Sequence, residues 1–341
     1  MKPIRQETQS SKVLRLNCRM NSNWLAGRRY YLLVSLLVLP VLLTLSLNPA
    51  ISAESEPLPG KIVIAGAGQP MPAGQHVAFA GARSSAYGIR PFPSPEGWGK
   101  ALKTMAGYFP GSTPVGIWIV GRLHGRSTGI SLEFPHPNDG VDYGPLFNFS
   151  DTDKHEPYLN YFDANGIKIF LQIEPGFADV GKCIDLVLKQ YKHHRSVLGW
   201  GIDVEWFQNA KSDSPNAIAT DALAKAWDAR VKSYNPKYRI FVKHFRIDNL
   251  PLTYRGDVVF VNDSQEIGSL ESFLKEYKEF AEFFYPNTVV YQIGYRSDKV
   301  WWGPLATPIP KTLGEKLASQ TRQDCGIVWV DFTLREVLPI E

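Results

Sequence analysis

Two acids in the stretch GWGIDVEWF, Asp203 and Glu205, stand two residues apart in an otherwise apolar and aromatic run. In an extended strand alternate side chains share a face, which groups Gly201, Asp203 and Glu205 on one side and Trp200, Ile202, Val204 and Trp206 on the other. The two acids would then sit roughly 6–7 Å apart at Cα. An ionised aspartate at that range raises a glutamate's pKa, as does partial burial beside Trp206. A glutamate held protonated near neutral pH can give its proton to a leaving-group oxygen. Gly201 would leave space for a substrate ring to approach the strand. The competing reading is structural, with the acids ion-paired to Lys243, His244 or Arg246 from the next strand-like run.

The elements that must position these acids recur along the chain. Strand-like runs occupy 76–81, 115–121, 167–174, 197–205, 239–245, 257–263, 288–295 and 327–333. Helix-like segments separate most of them, the first opening on Ser94–Pro95–Glu96, a serine cap with proline in the first turn. The stretch RIDNLPLTYRG leaves little room for a helix between the fifth and sixth runs. Eight such alternations predict a single-domain (β/α)8 TIM barrel. A run at 61–66 is a ninth strand candidate outside it. An open doubly wound sheet would carry a G-x-G-x-x-G loop after an early strand, and AGAGQPMPAG lacks that spacing.

In a barrel of this kind the site lies at the C-terminal ends of the strands. The polar residues there are Gln172 and Glu174 on the third run, Asp203 and Glu205 on the fourth, and Asn262 and Asp263 on the sixth. Gln292 and Tyr295 close the seventh, and Trp329 and Asp331 the eighth. The loop after the first strand adds Arg83 and Tyr87. Carboxylates, amides and aromatic rings on one rim suit a carbohydrate, whose hydroxyls need polar partners and whose C–H faces stack on rings.

The segment GWGIDVEW resembles the fourth-strand motif of family 18 glycoside hydrolases, the chitinases and endo-β-N-acetylglucosaminidases, which ends in D-x-D-x-E. The resemblance implies Glu205 as general acid/base and Asp203 as the group that orients and stabilises the substrate's own acetamide, the nucleophile. YQIGY and Trp329 are similar to that family's polar seventh strand and eighth-strand indole. The earlier motif aspartates fall on Gly201 and Leu198, and VNDS stands where the family has Met-x-Tyr-Asp. IDVEW, YQIGY and WVDF also resemble family 25 muramidases. That second likeness implies a glycosidase using Asp203, Glu205 and Asp331 or Glu174 directly. Neither family implies a cofactor or a metal. The third reading is a catalytically silent glycan-binding barrel.

Residues 1–53 read as a signal peptide or membrane anchor, leaving 54–341 as the barrel domain. Arg28 and Arg29 precede an apolar run ending in NPAISAES, with Ala53 the expected last residue before cleavage. If uncleaved, residues 30–47 would attach the chain to a membrane. Met20 is an alternative start. The expected location is secreted or extracytoplasmic. Of 37 Lys and Arg, seven precede residue 54, against one of 33 acids, so the remainder holds 30 bases and 32 acids. That balance offers no basic footprint for nucleic acid.

Lesser features complete the reading. Cys183 and Cys325 are expected as buried thiols rather than a disulfide. HPNDGVDYG (136–144) reads as a loop, and His193–His194 as a solvated or capping pair at a helix end. KVWWGP (299–304) presents two indoles, either for stacking sugars or for covering the barrel.

Overall fold

The computed structural model describes residues 77–124, 128–209, 217–338 and 340. The expected leader, its apolar run at 30–47 and the strand candidate at 61–66 lie outside the described residues. No described helix is long and apolar enough to cross a membrane.

In chain order the strands are β1 (Val77–Ser84), β2 (Thr113–Leu123), β3 (Ile130–Leu132), β4 (Phe147–Phe149) and β5 (Lys168–Ile173). They continue as β6 (Val197–Asp203), β7 (Arg239–Lys243), β8 (Val259–Asn262), β9 (Val289–Ile293) and β10 (Cys325–Trp329). Leaving out β3 and β4, each strand pairs in parallel with its neighbours in chain order, and β10 returns to β1. The result is a closed eight-stranded (β/α)8 barrel. β3 lies antiparallel on the end of β2, and β4 pairs with β3 outside the ring.

The helices are α1 (Pro95–Gly107), α2 (Glu156–Asn165), α3 (Val180–Tyr191), α4 (Asp221–Tyr234), α5 (Leu270–Phe284), α6 (Lys299–Trp302), α7 (Ile309–Ala318) and α8 (Leu334–Val337). Four starts are written in the sequence. The Ser94 hydroxyl accepts from Gly97 N, Asp179 from Lys182 N, Thr220 from Leu223 N and Ser269 from Ser272 N. Each such cap stabilises its helix by about 1 kcal/mol. Between β7 and β8 there is only a 3-10 turn, Ile247–Asn249, as the short connection predicts.

Alternation along the strands makes two cores. Phe79, Val115, Ile117, Phe170, Phe241, Val259, Val261, Val290 and Val328 fill the barrel interior. The alternate residues, Trp200, Ile202, Tyr291, Ile293 and Trp329 among them, pack outward under the helices. Closing a ring of eight strands crowds its axis, and bulky interior residues need glycine opposite them. A Cβ on Gly201 would lie 2.1 Å from the Phe241 ring. The space expected beside Gly201 for a substrate is therefore already occupied by Phe241. Cys183 and Cys325 are both buried, and no disulfide joins them.

Candidate active site

Several strands turn polar at their C-terminal ends. β6 delivers Asp203, β7 Lys243 and β8 Asn262 followed by Asp263, while Glu174 follows β5 and Arg83 ends the inward face of β1. Lys243 stands between two of the acids, its Nζ 2.6 Å from Asp203 Oδ2 and 2.7 Å from Asp263 Oδ2. All three side chains are at most 3% exposed. Of the structural partners considered from sequence, Lys243 meets Asp203.

Glu205 does not continue the strand. The chain leaves β6 at Asp203 and turns through a 3-10 helix, Val204–Trp206. The shared-face argument therefore fails beyond Asp203, yet the turn still brings Glu205 back to the group. One carboxylate oxygen from each of Asp203, Glu205 and Asp263 lies within 4.8 Å of the other two. Asp203 and Asp263 are buried, whereas Glu205 and Trp206 are half-buried and stand nearer to solvent.

The electrostatics follow from this crowding. Burial, with Asp263 and Glu174 nearby, pushes the Asp203 carboxyl up to about 7 even though Lys243 opposes the rise. Burial disfavours the Lys243 ammonium, but Asp203 and Asp263 outweigh it and hold the lysine pKa well above its ordinary value. A lysine kept protonated is no amine nucleophile. The same carboxylate trio has the donors for a cation, but the ammonium is already ion-paired to two of its members. Asp203 Oδ1, Asp263 Oδ1 and Gln292 Oε1 are buried without a hydrogen-bond partner among the described residues. Buried acceptors left open in this way suit a ligand that brings donors.

A second group adjoins the first. Arg83 Nη2 donates to Asp331 Oδ1 at 2.8 Å, and Asp331 Oδ2 accepts from Ser85 N at 2.8 Å and the Ser85 hydroxyl at 2.6 Å. Arg83 Nη1 donates to the Tyr87 hydroxyl at 3.0 Å, which donates to Glu174 Oε1 at 2.5 Å. Leu123 N reaches Glu174 Oε2 at 3.3 Å. Burial first, then the neighbouring Glu174, raises the Tyr87 pKa and keeps the phenol neutral, although Arg83 opposes the rise. Gln292 donates to the Tyr295 hydroxyl. Tyr295 is kept neutral by burial and by Asp263.

Arg83, Tyr87, Glu174, Asp203, Glu205, Asp263, Gln292, Tyr295 and Asp331, all expected from sequence, thus gather at this end of the barrel. Trp329 does not. Its parity on β10 turns it outward, where its ring packs on Trp302 and over Gly294 and its Nε1 donates to Thr333 Oγ1 at 2.9 Å. The indoles of α6 are likewise structural. Trp301 Nε1 donates to Ile267 O and Trp302 Nε1 to Tyr295 O. Lys243 was visible in the sequence as an ion-pair partner, but its bridging of two strands was not. A cleft of ≈ 470 Å³ is lined by Phe177, Phe207, Trp227 and Tyr143 among others; Phe207 stands two residues past Glu205, and none of the site residues named above lines it.

No protein-family model matches the sequence, and no curated protein matches it. Among solved structures, the chain is similar to concanavalin B at 14% identity and a TM-score of 0.41, covering 77% of this chain and 95% of that one. It is similar to the β-glucuronidase of Parabacteroides merdae at 14% identity and a TM-score of 0.33, covering 54% of this chain and 26% of the other. The intracellular xylanase of Thermoanaerobacterium saccharolyticum matches at 10% identity and a TM-score of 0.35, covering 74% of this chain and 86% of that one. The chain therefore spans about a quarter of the glucuronidase's length.

Proposed function

We propose that this chain is a glycoside hydrolase acting on a glycan that contains N-acetylhexosamine. The observation that carries the reading is the convergence of Asp203, Glu205 and Asp263 within 4.8 Å at the mouth of the barrel, with Glu205 foremost. Glu205 gives its proton to the glycosidic oxygen as the bond to the anomeric carbon breaks. The substrate's acetamide oxygen forms the replacing bond to that carbon. Water then attacks the carbon from the vacated side, and Glu205 takes the water's proton back. Asp203 accepts the acetamide N–H through its open Oδ1 and stabilises the positive charge that develops on the cyclised group.

Displacement first by the acetamide and then by water inverts the anomeric carbon twice, so the product retains configuration. An inverting pair stands roughly 6.5–9.5 Å apart to admit a water between acid and base. Of the direct-participation alternatives, Asp331 is saturated by Arg83 and Ser85, and Glu174 is held by Tyr87 and Leu123 N. The apolar run at 30–47 with its arginine flank supports an exported or membrane-attached protein.

One observation favours a glycan-binding barrel without catalysis: the Lys243 ammonium that is ion-paired to both aspartates. The test incubates the protein and its Glu205→Gln variant with chitin oligomers, peptidoglycan and N-glycans, following products by mass spectrometry alongside binding. Cleavage that collapses by about 10²-fold or more in the variant, with binding kept, supports the hydrolase. Binding without cleavage by either protein refutes it and leaves the binding barrel.

A further inference from the structure

We propose that His193, His194 and Glu156 form a zinc-type metal site that clamps the α3–β6 connection onto the start of α2, just before β6 begins at Val197, whereas Asp203 closes that strand's other end. His194 is buried, its side chain 1% exposed, and Nδ1 lies 2.8 Å from Asp163 Oδ2 while Nε2 lies 3.2 Å from Glu156 Oε2. His193 Nε2 lies 3.6 Å from the other oxygen of the same carboxylate, Glu156 Oε1. The two imidazoles lie side by side with centroids 4.1 Å apart. One ligand atom from each of the three residues falls within 4.8 Å of the other two.

Position on α3 accounts for one part of this. Imidazoles just past a helix C-terminus interact well with the helix dipole, which is the reading the sequence suggests. It does not account for a carboxylate that faces both rings, one oxygen to each. When the His194 Nδ1–H donates to Asp163, a neutral ring directs its Nε2 lone pair at a Glu156 oxygen. Acceptor then faces acceptor across 3.2 Å, and a positive charge must lie between them. Either a proton or a metal ion can supply it. Zinc bonds of about 2.0–2.1 Å in tetrahedral array place ligand atoms roughly 3.3 Å apart, which a small rotation of His193 would reach.

The surroundings have the character of a metal site's outer layer. Asp163 is fixed on its own account, with Oδ1 accepting from Ser196 N at 2.7 Å and its carbonyl accepting twice from Arg195 at 2.7 and 2.9 Å. It thereby sets the tautomer of His194, as carboxylates do behind metal-bound imidazoles. Glu156 Oε1 also accepts from Asn160 Nδ2 at 3.2 Å. A divalent ion with Glu156 and Asp163 ionised leaves the cluster neutral, and half-exposed Glu156 and exposed His193 leave a fourth position to water. Bound there, the ion would tie α2 to the residues that lead into β6, the strand that presents Asp203.

The test uses the metal-free full-length protein, titrated with Zn²⁺ by calorimetry and with Co²⁺ as a spectroscopic probe. The expected result is one ion per chain, with the visible bands of tetrahedral Co²⁺. His193→Ala, at a side chain 58% exposed, and Glu156→Gln should each weaken binding by about tenfold or more, and Asp163→Asn by ~10–100-fold. His136→Ala, on a different loop, should leave binding unchanged. Circular dichroism of His193→Ala checks that the fold is kept. The proposal is overturned if the parent shows no saturable Zn²⁺ binding, or if His193→Ala and Glu156→Gln bind as the parent does. The cluster is then a set of hydrogen bonds from His194 to Asp163 and Glu156 with no ion.

Discussion

Replacing Lys243 with methionine removes the single ammonium that stands within 2.7 Å of both Asp203 and Asp263, while keeping most of the side chain's volume. Breaking a buried pair by deleting one partner costs about 3–5 kcal/mol because the remaining charge is left uncompensated. That is a large share of the roughly 5–15 kcal/mol by which domains are stable, and near 2–4 °C per kcal/mol the melting temperature should fall by about 10 °C. The loss should depend on pH in a definite direction. Without the ammonium nothing opposes the rise of the Asp203 carboxyl above the unfolded value of about 3.9, so the native state binds more protons than the unfolded one. An acid shifted upward destabilises the fold as pH rises through that window and ceases to do so below the unfolded pKa. The parent already shows part of this slope through Asp203, raised to about 7, so the informative quantity is the difference between the two proteins. Urea unfolding at pH 5 and pH 8 measures it. The gap between parent and variant should be widest at the higher pH and shrink at the lower, and adding Asp203→Asn and Asp263→Asn to the variant should recover most of it. A gap below about 1 kcal/mol at pH 8, or one that pH does not move, would show that Lys243 does not hold the acids as described.

Three further outcomes are expected. Proton NMR of the first-formed product should show the anomeric configuration of the substrate; an inverted product would exclude an acetamide or carboxylate nucleophile at this spacing. Because the acetamide role needs Asp203 ionised, kcat should rise with pH through about 7, and Asp203→Asn should lose that limb; a variant keeping it would assign the limb to another group. Gly201→Ala places a methyl 2.1 Å from the Phe241 ring and should destabilise by about 1–3 kcal/mol, with Phe241→Leu in the same chain returning part of the loss; an unchanged melting temperature would mean that the barrel axis is looser than described.

The sequence alone carried the barrel because its signals are local. Each strand is an apolar run of a length and spacing that helices interrupt, and Ser94, Asp179, Thr220 and Ser269 mark where four helices begin. It also carried the strand ends, since polar residues closing an apolar run must lie where the barrel meets solvent. Asp203, Glu174, Asp263 and Gln292 were legible for that reason. The β3–β4 extension and α2 gave weaker local signals and were not singled out.

What only the tertiary structure decided is how these residues face one another. Strand alternation places Asp203 inward, but the 3-10 turn after it, which returns Glu205 to the same cluster, breaks the two-residue period. Trp329 reads as a rim residue in one dimension and lies under the helices in three, because its parity on β10 points it away from the axis. Gly201 reads as open space and is filled by Phe241 from the adjacent strand. Lys243 becomes the counter-charge of two acids only when parallel pairing sets β7 between β6 and β8. Local sequence fixes where the chain extends, turns and meets water, but the field at a buried carboxylate comes from strands dozens of residues away, and closure of the ring is what brings them within reach.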